Sequence, residues 1–148
     1  MNYEIDDLDR RIMKLLSADG RMSFKEVASN LNVNEKTVRL RYKNLVEHNI
    51  LNVVGVVNPI EIGLKTGAII QIKVEPQSIH KIIEQLKMFK EIRFLTLTTG
   101  PYPLLAQIIA SSQEDIKDFI LRLNEVESIT ELNCILQMEL LKNSFEYI

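Results

Sequence analysis

The hydrophobic positions of this chain change their period once, and the change divides it in two. Over the first fifty residues the apolar side chains recur at helical spacing. Leu8, Ile12, Leu15 and Leu16 predict a helix over Asp6 to Ala18, with Asp6, Asp7 and Asp9 clustered where a helix dipole favours anions. Ser23-Phe24-Lys25-Glu26 carries a hydroxyl three residues ahead of a glutamate, the capping-box signature, and Phe24, Val27, Ala28 and Leu31 follow it at helical spacing. After a short turn at Asn32-Val33, a third helix is expected from Asn34 to His48. Its stripe of Val38, Tyr42 and Leu45 is narrow, Asn34 is a strong N-cap type, and Asn49 tolerates the left-handed conformation in which helices stop.

Leu51 to Val57 is β-branched, short and interrupted by Gly55, which predicts a small wing or ribbon. Pro59 and Gly63 then punctuate a connection. From Gly67 the period changes to that of strands and helices in alternation. The run A-I-I-Q-I-K-V is followed by a helix from Gln77 to about Phe89 and the strand I-R-F-L-T-L-T. After the turn Thr99 to Tyr102 come the strand L-L-A-Q-I-I-A, a helix from Gln113 to about Asn124, and a last strand over Thr130 to Leu141. That order, β-α-β-β-α-β, is the ferredoxin-like arrangement, in which two helices cover one face of a four-stranded antiparallel sheet and leave the other open. The expected fold class is therefore α+β: a winged helix-turn-helix domain over residues 1–57, a linker over 58–66 and a ferredoxin-like domain over 67–148.

Charge changes the picture in one place. The net charge of −2 rules out a globally basic coat for nucleic acid, so any DNA affinity has to come from local placement. Residues 1–63 carry nine basic and nine acidic side chains and residues 64–148 carry nine and eleven, so the second half supplies the acidity. In the third helix Lys36, Arg39, Arg41 and Lys43 fall within eight consecutive residues that contain no acid. Taken alone, such a helix reads as a solvated charged face. Behind a short capped helix and a tight turn it reads as the second helix of a helix-turn-helix, the one that enters the major groove. Asn34, Lys36, Thr37, Arg39, Leu40, Arg41 and Lys43 are the expected DNA-binding residues.

At about 100° per residue, Lys36, Leu40 and Lys43 point nearly opposite the apolar stripe, while Arg41 lies roughly 60° from its centre. The geometry suits Arg41 to bracing a carboxylate such as Asp9. Leu40 fits either a contact to a thymine methyl or an ordinary surface leucine.

The residues that carry these signals resemble a known family. Leu8-Asp9 with Ile12, Leu15 and Leu16, then Asp19, Arg21, Ser23, Glu26, Ala28, Leu31, Thr37-Val38, Arg41, Leu45, Ile50, Pro59 and Gly63-Leu64, are similar to the leucine-responsive, or feast/famine, regulators of the Lrp/AsnC family. The likeness runs along the whole chain. It implies a cytoplasmic transcription regulator that binds double-stranded DNA, forms dimers or higher homo-oligomers through its second domain, and binds a small effector, commonly an amino acid, between subunits. Family members commonly carry a Gly-Asp-Tyr-Asp-like turn where this chain reads Gly100-Pro101-Tyr102-Pro103. Replacing each acid by proline removes a carboxylate acceptor and a backbone N–H donor. Thr98, Thr99, Gly100 and Tyr102 are the effector-binding candidates that remain, with an unusual effector or none expected; the alternative is a plain hairpin turn.

Other chemistry is sparse. His48 and His80 have no Cys or carboxylate spacing that would make a metal site, and no cofactor is expected. Cys134 alternates with apolar neighbours in the last strand, which reads as a small core or interface residue, and a single cysteine makes no internal disulfide. No charged-then-apolar leader opens the sequence, and the uncharged stretch Phe94 to Gln113 is too rich in Gly, Pro, Thr and Gln for a membrane span. An enzyme is not expected. The tetrapyrrole-processing decarboxylases that resemble this family carry histidine and aromatic residues in the second domain, where this chain has only His80 and no tryptophan. A DNA-packaging protein, the other alternative, is disfavoured by the acidic balance and the absence of basic tails.

Overall fold

A computed structural model describes residues 3–142. They form two compact units that divide between Val56 and Val57.

In the first unit α1 (Asp7–Ala18), α2 (Phe24–Leu31) and α3 (Glu35–Glu47) begin where their caps dictate. Asp6 and Asp9 close a reciprocal capping box on α1, and Ser23 and Glu26 close another on α2. Each box satisfies two of the backbone N–H groups that a helix start leaves without partners. The carboxylate of Glu26 lies below the usual glutamate range because the Ser23 hydroxyl and then the Ser23 amide donate to it. Asn34 Oδ1 accepts from the Lys36 amide at 2.8 Å to open α3. Asn32 and Asn49 take the left-handed conformation, with φ of 53° and 55°, one ending α2 and the other following α3. The three helices close over Ile12, Leu16, Val27, Leu31, Val38 and Leu45, all buried. Burying each such side chain contributes roughly 1.5–3 kcal/mol, enough in sum to hold three short helices that would not persist in isolation.

The expected wing is absent. Residues 51–58 form no strand, and Val53, Val54, Val56 and Val57 are exposed. Their β-branched run favours extension, but a strand needs a ladder partner, and among the described residues the first unit offers no second run to pair with it. Pro59 to Gly63 then make a tight turn, with the Leu64 amide donating to Pro59 O at 2.8 Å.

The second unit is ferredoxin-like. Its elements are β1 (Thr66–Val74), a 3₁₀ turn (Pro76–Ser78), α4 (Ile79–Lys87), β2 (Ile92–Leu97), β3 (Leu104–Ala110), α5 (Gln113–Asn124) and β4 (Ile129–Gln137). The sheet order is β2-β3-β1-β4, with every neighbouring pair antiparallel. Alternation assigns its two faces. Ala68, Ile70, Ile72 and Val74 of β1 and Leu104, Ala106, Ile108 and Ala110 of β3 share a core with Ile82 and Leu86 of α4 and Ile116, Phe119 and Leu123 of α5. Their alternates, Ile69, Gln71, Leu105, Gln107 and Ile109, are half-buried on the other face, which no element of this unit covers.

Two expectations change. The last strand stops at Gln137 rather than Leu141, because Gln137 already pairs with Gly67 and β1 begins only one residue earlier. Cys134 pairs with Ile70, which puts it on the helix side of an edge strand, and it is exposed there rather than in the core. Residues 143–148, read with the second domain, lie outside the described residues. No helix among the described residues is long and apolar enough to cross a membrane.

Candidate nucleic-acid interface

Helix α3 presents different chemistry on its different sides. Val38 and Leu45 are buried in the core of the first unit, with Tyr42 half-buried beside them. Opposite, Lys36, Leu40 and Lys43 are exposed, Leu40 by 59%. Lys36 makes no ion pair among the described residues. Among the described residues Lys43 reaches only Glu47, at 3.6 Å between two exposed side chains, a contact worth roughly 0–1 kcal/mol and readily exchanged for a phosphate. Thr37 is half-buried on the same helix, and Asn34 is exposed but spends its side-chain oxygen on the helix cap.

The two arginines behave differently from the lysines. Arg39 donates to Glu35 at 2.8 Å and lies over the Phe24 ring at 5.1 Å, so it flanks the outward face and is anchored to α2. Arg41 is turned inward. Its Nη1 is 2.8 Å from Asp6 Oδ2 and 3.3 Å from Asp9 Oδ2, and it donates to Tyr3 Oη at 3.4 Å. Asp9 is wholly buried, and it accepts from Tyr3 Oη at 3.0 Å and from the Asp6 amide at 3.1 Å.

The network shifts two of its members. The bond to Tyr3 raises the Arg41 guanidinium above its ordinary value, and Asp9 and Asp6 add to this. The Asp9 amide holds the Asp6 carboxyl below the usual aspartate range, and Arg41 lowers it further. The bracing of Asp9 by Arg41 therefore holds as the sequence suggested. Tyr3 and Asp6 were not legible as partners, because only the register of α1 against α3 brings them together.

The candidate effector residues cluster where β2 turns into β3. The Thr98 amide donates to Pro103 O at 2.8 Å and its hydroxyl to Tyr102 O at 2.6 Å. Gly100 sits at φ 98°, a conformation that a side chain would strain. Thr99 and Gly100 are exposed, while Thr98 and Tyr102 are half-buried. The Tyr102 hydroxyl donates to Glu131 on β4, which also pairs with Lys73 of β1 at 3.4 Å. The tyrosine raises its own pKa and lowers that of Glu131 by this bond, with Lys73 lowering Glu131 further. Lys73 and Glu131 went unread in the sequence because only strand register makes them neighbours. No group of three or more potential metal ligands occurs among the described residues.

The chain's sequence matches known domains on both sides of the division. Residues 5–46 match the AsnC-type helix-turn-helix domain and residues 67–147 the Lrp/AsnC ligand binding domain. The chain belongs to the Lrp/AsnC family of transcriptional regulators. Among Lrp/AsnC relatives, the HTH-type transcriptional regulator LrpA of Pyrococcus horikoshii is 31% identical over 93% of this chain and 99% of its own length. Another HTH-type transcriptional regulator of that organism is 34% identical over 80% of this chain and 75% of its own. The structure of E. coli AsnC superposes with a TM-score of 0.89 at 20% identity, covering 95% of this chain and 97% of that one. A Neisseria meningitidis transcriptional regulator in complex with L-Met gives 0.88 at 16% identity, covering 96% and 95%. At such identities the two structures speak for the fold.

Proposed function

We propose that this Lrp/AsnC regulator grips double-stranded DNA through the outward side of α3, with Lys36 and Lys43 on phosphates, Leu40, Thr37 and Asn34 toward the groove, and Arg39 at the flank. The observation that carries it is the pair of exposed lysines beside an exposed leucine, Lys43 held only by a weak surface contact to Glu47, on a helix whose opposite side is fixed by a core and by the Arg41 network. Arg41 serves by holding the helix at its angle. Removing one lysine from a phosphate should lower the log-log salt slope of binding by about one. Lys36→Ala with Lys43→Ala, tested by fluorescence anisotropy on selected genomic fragments across a salt series, should therefore weaken binding and flatten the slope. An unchanged affinity and slope in a folded double variant would refute the assignment.

The uncovered face of the second unit pairs with a second copy, giving a homodimer whose inverted-repeat half-sites lie one helical turn of DNA, or a multiple, apart. The division of labour follows the sequence: DNA binding over 1–57, a linker over 58–66 and pairing and sensing over 67–148. The protein acts in the cytoplasm as a regulator and not as an enzyme. Its effector is a small metabolite of the amino-acid class, as in the L-Met complex of the Neisseria relative. Here Thr98, Thr99, the Gly100 amide and Tyr102 border the pocket without the paired acids. Because the Thr98 hydroxyl already donates within the turn and the Tyr102 hydroxyl donates to Glu131, the turn has few free donors left to offer an amino acid's carboxylate.

A further inference from the structure

The uncovered sheet face is apolar at Ile69, Leu105, Ile109 and Ile135, and beside these and the Lys73–Glu131 ion pair it carries two bridges between side-chain amides. Gln107 Nε2 on β3 donates to Gln137 Oε1 on β4 at 3.0 Å, and Asn133 Nδ2 on β4 donates to Gln71 Oε1 on β1 at 2.7 Å. The first bridge is unusual because its partners are not on adjacent strands; Gln137 lies across β1 to reach β3. Gly67 makes this crossing available. A Cβ at Gly67 would stand 2.5 Å from Gln137 Oε1 and 3.3 Å from its Cδ, so any side chain there forces the amide off its path.

Each bridge spends one N–H of one amide and one carbonyl of the other. What remains on every bridge is an unspent NH₂ on one residue and an unspent carbonyl on its neighbour, whichever way the amides are turned. A face that displays donor and acceptor side by side among Ile69, Leu105, Ile109 and Ile135 is complementary to itself. A two-fold axis can set the donor of one copy against the acceptor of the other, and the reverse. The charges agree, since the Lys73 and Glu131 of this face neutralise each other at 3.4 Å and leave little to repel a second copy. A wholly apolar surface would accept many partners and several registers, whereas buried amides tolerate only an arrangement that satisfies them.

We propose that the Gln107–Gln137 bridge, given room by Gly67 and seconded by Gln71–Asn133, selects a second copy of this chain as the partner on the open face and fixes the register of pairing. This rests on the reading that the face is a dimer interface. Gly67→Ala breaks the bridge without deleting an amide, and only the end of a flexible side chain need move, so the fold should survive. Sedimentation equilibrium should show dimer dissociation constants raised about tenfold by Gly67→Ala, by Gln107→Leu and by Gln137→Leu, since each strands a buried amide. Gln107→Leu with Gln137→Leu should cost less than the product of its two single effects, because no orphan is left. The melting temperature of the variants at monomer concentrations reports that the units are intact.

Single variants that dimerise like the wild type, or a double variant whose cost is the product of the singles, would overturn the proposal. Ile135→Asp, which places a charge on the same face without removing an amide, separates the two readings. If it dissociates the dimer while the amide variants do nothing, the dimer face stands and the role of the bridge falls. If the wild type is a monomer, or if its dimer tolerates Ile135→Asp, the interface itself is elsewhere and both fall.

Discussion

Removing Arg41 tests whether α3 is held at its angle by charge. In Arg41→Ala the wholly buried Asp9 carboxylate loses its cation but keeps Tyr3 Oη and the Asp6 amide. Stripping one partner from a fully buried ion pair costs roughly 3–5 kcal/mol. Arg41 is itself 31% exposed and Asp9 retains two donors, so the loss is closer to that of one charge-assisted hydrogen bond, roughly 1.5–3 kcal/mol. Asp6, with its side chain 46% exposed, adds little. For a unit of this size about 2 kcal/mol lowers the melting temperature by roughly 8–16 °C. Calorimetry or circular dichroism at 222 nm on the full chain should show the helical unit melting earlier and the sheet unit unmoved. DNA affinity should fall with the salt slope intact, since the phosphate-binding lysines are untouched. Asp9→Asn in the Arg41→Ala background should recover part of the loss by removing the unpaired charge. A melting temperature within about two degrees of wild type would refute the brace, because so small a shift corresponds to less than about 0.5 kcal/mol. A fallen salt slope would instead make Arg41 a phosphate ligand.

Three further outcomes follow from the same geometry. Ile135→Asp should convert the protein to monomers in sedimentation while leaving each unit folded, and a persistent dimer would move the interface off the sheet. Gly100→Val at φ 98° should destabilise the second unit by roughly 1–2 kcal/mol. It should also abolish whatever weak amino-acid binding titration calorimetry detects; tight binding of a common amino acid that survives the change would place the pocket elsewhere. Asp6 and Glu26 both have folded pKa values lowered below their unfolded ones, so their contribution is complete above the unfolded values and is lost as pH falls through the folded ones. Thermal scans should therefore be flat from pH 7 to about 5 and fall below about 4, less steeply in Glu26→Gln, and a melting temperature that rises in acid would contradict this.

Local signals were legible in the sequence and pairings were not. Capping residues placed the starts of α2 and α3, helical periodicity placed α1, and strand alternation placed β1, β2 and β3, because these depend on neighbours within a turn or two. The wing failed for the complementary reason: β propensity in Leu51 to Val57 says that the backbone can extend, not that a partner strand exists. Helical geometry separated the outward Lys36 and Lys43 from the inward Arg41. It gave no hint that Phe24 lies under Arg39, that Tyr3 completes the Asp9 site, or that Gln137 reaches Gln107 over Gly67, since each contact joins separate elements.

Because β1 lies between β3 and β4, the strand made first in the second unit is completed by the strand made last. During synthesis the helical unit can fold as soon as it leaves the ribosome, its contacts being close in sequence. The Ile70 and Ile72 strand meanwhile keeps one open edge until Ile129 to Gln137 has emerged. Any chain that terminates in α5 thus exposes a β-branched edge at the centre of the sheet, the kind of surface that recruits other strands. Only when Gln137 has emerged does the central strand have a neighbour on both sides.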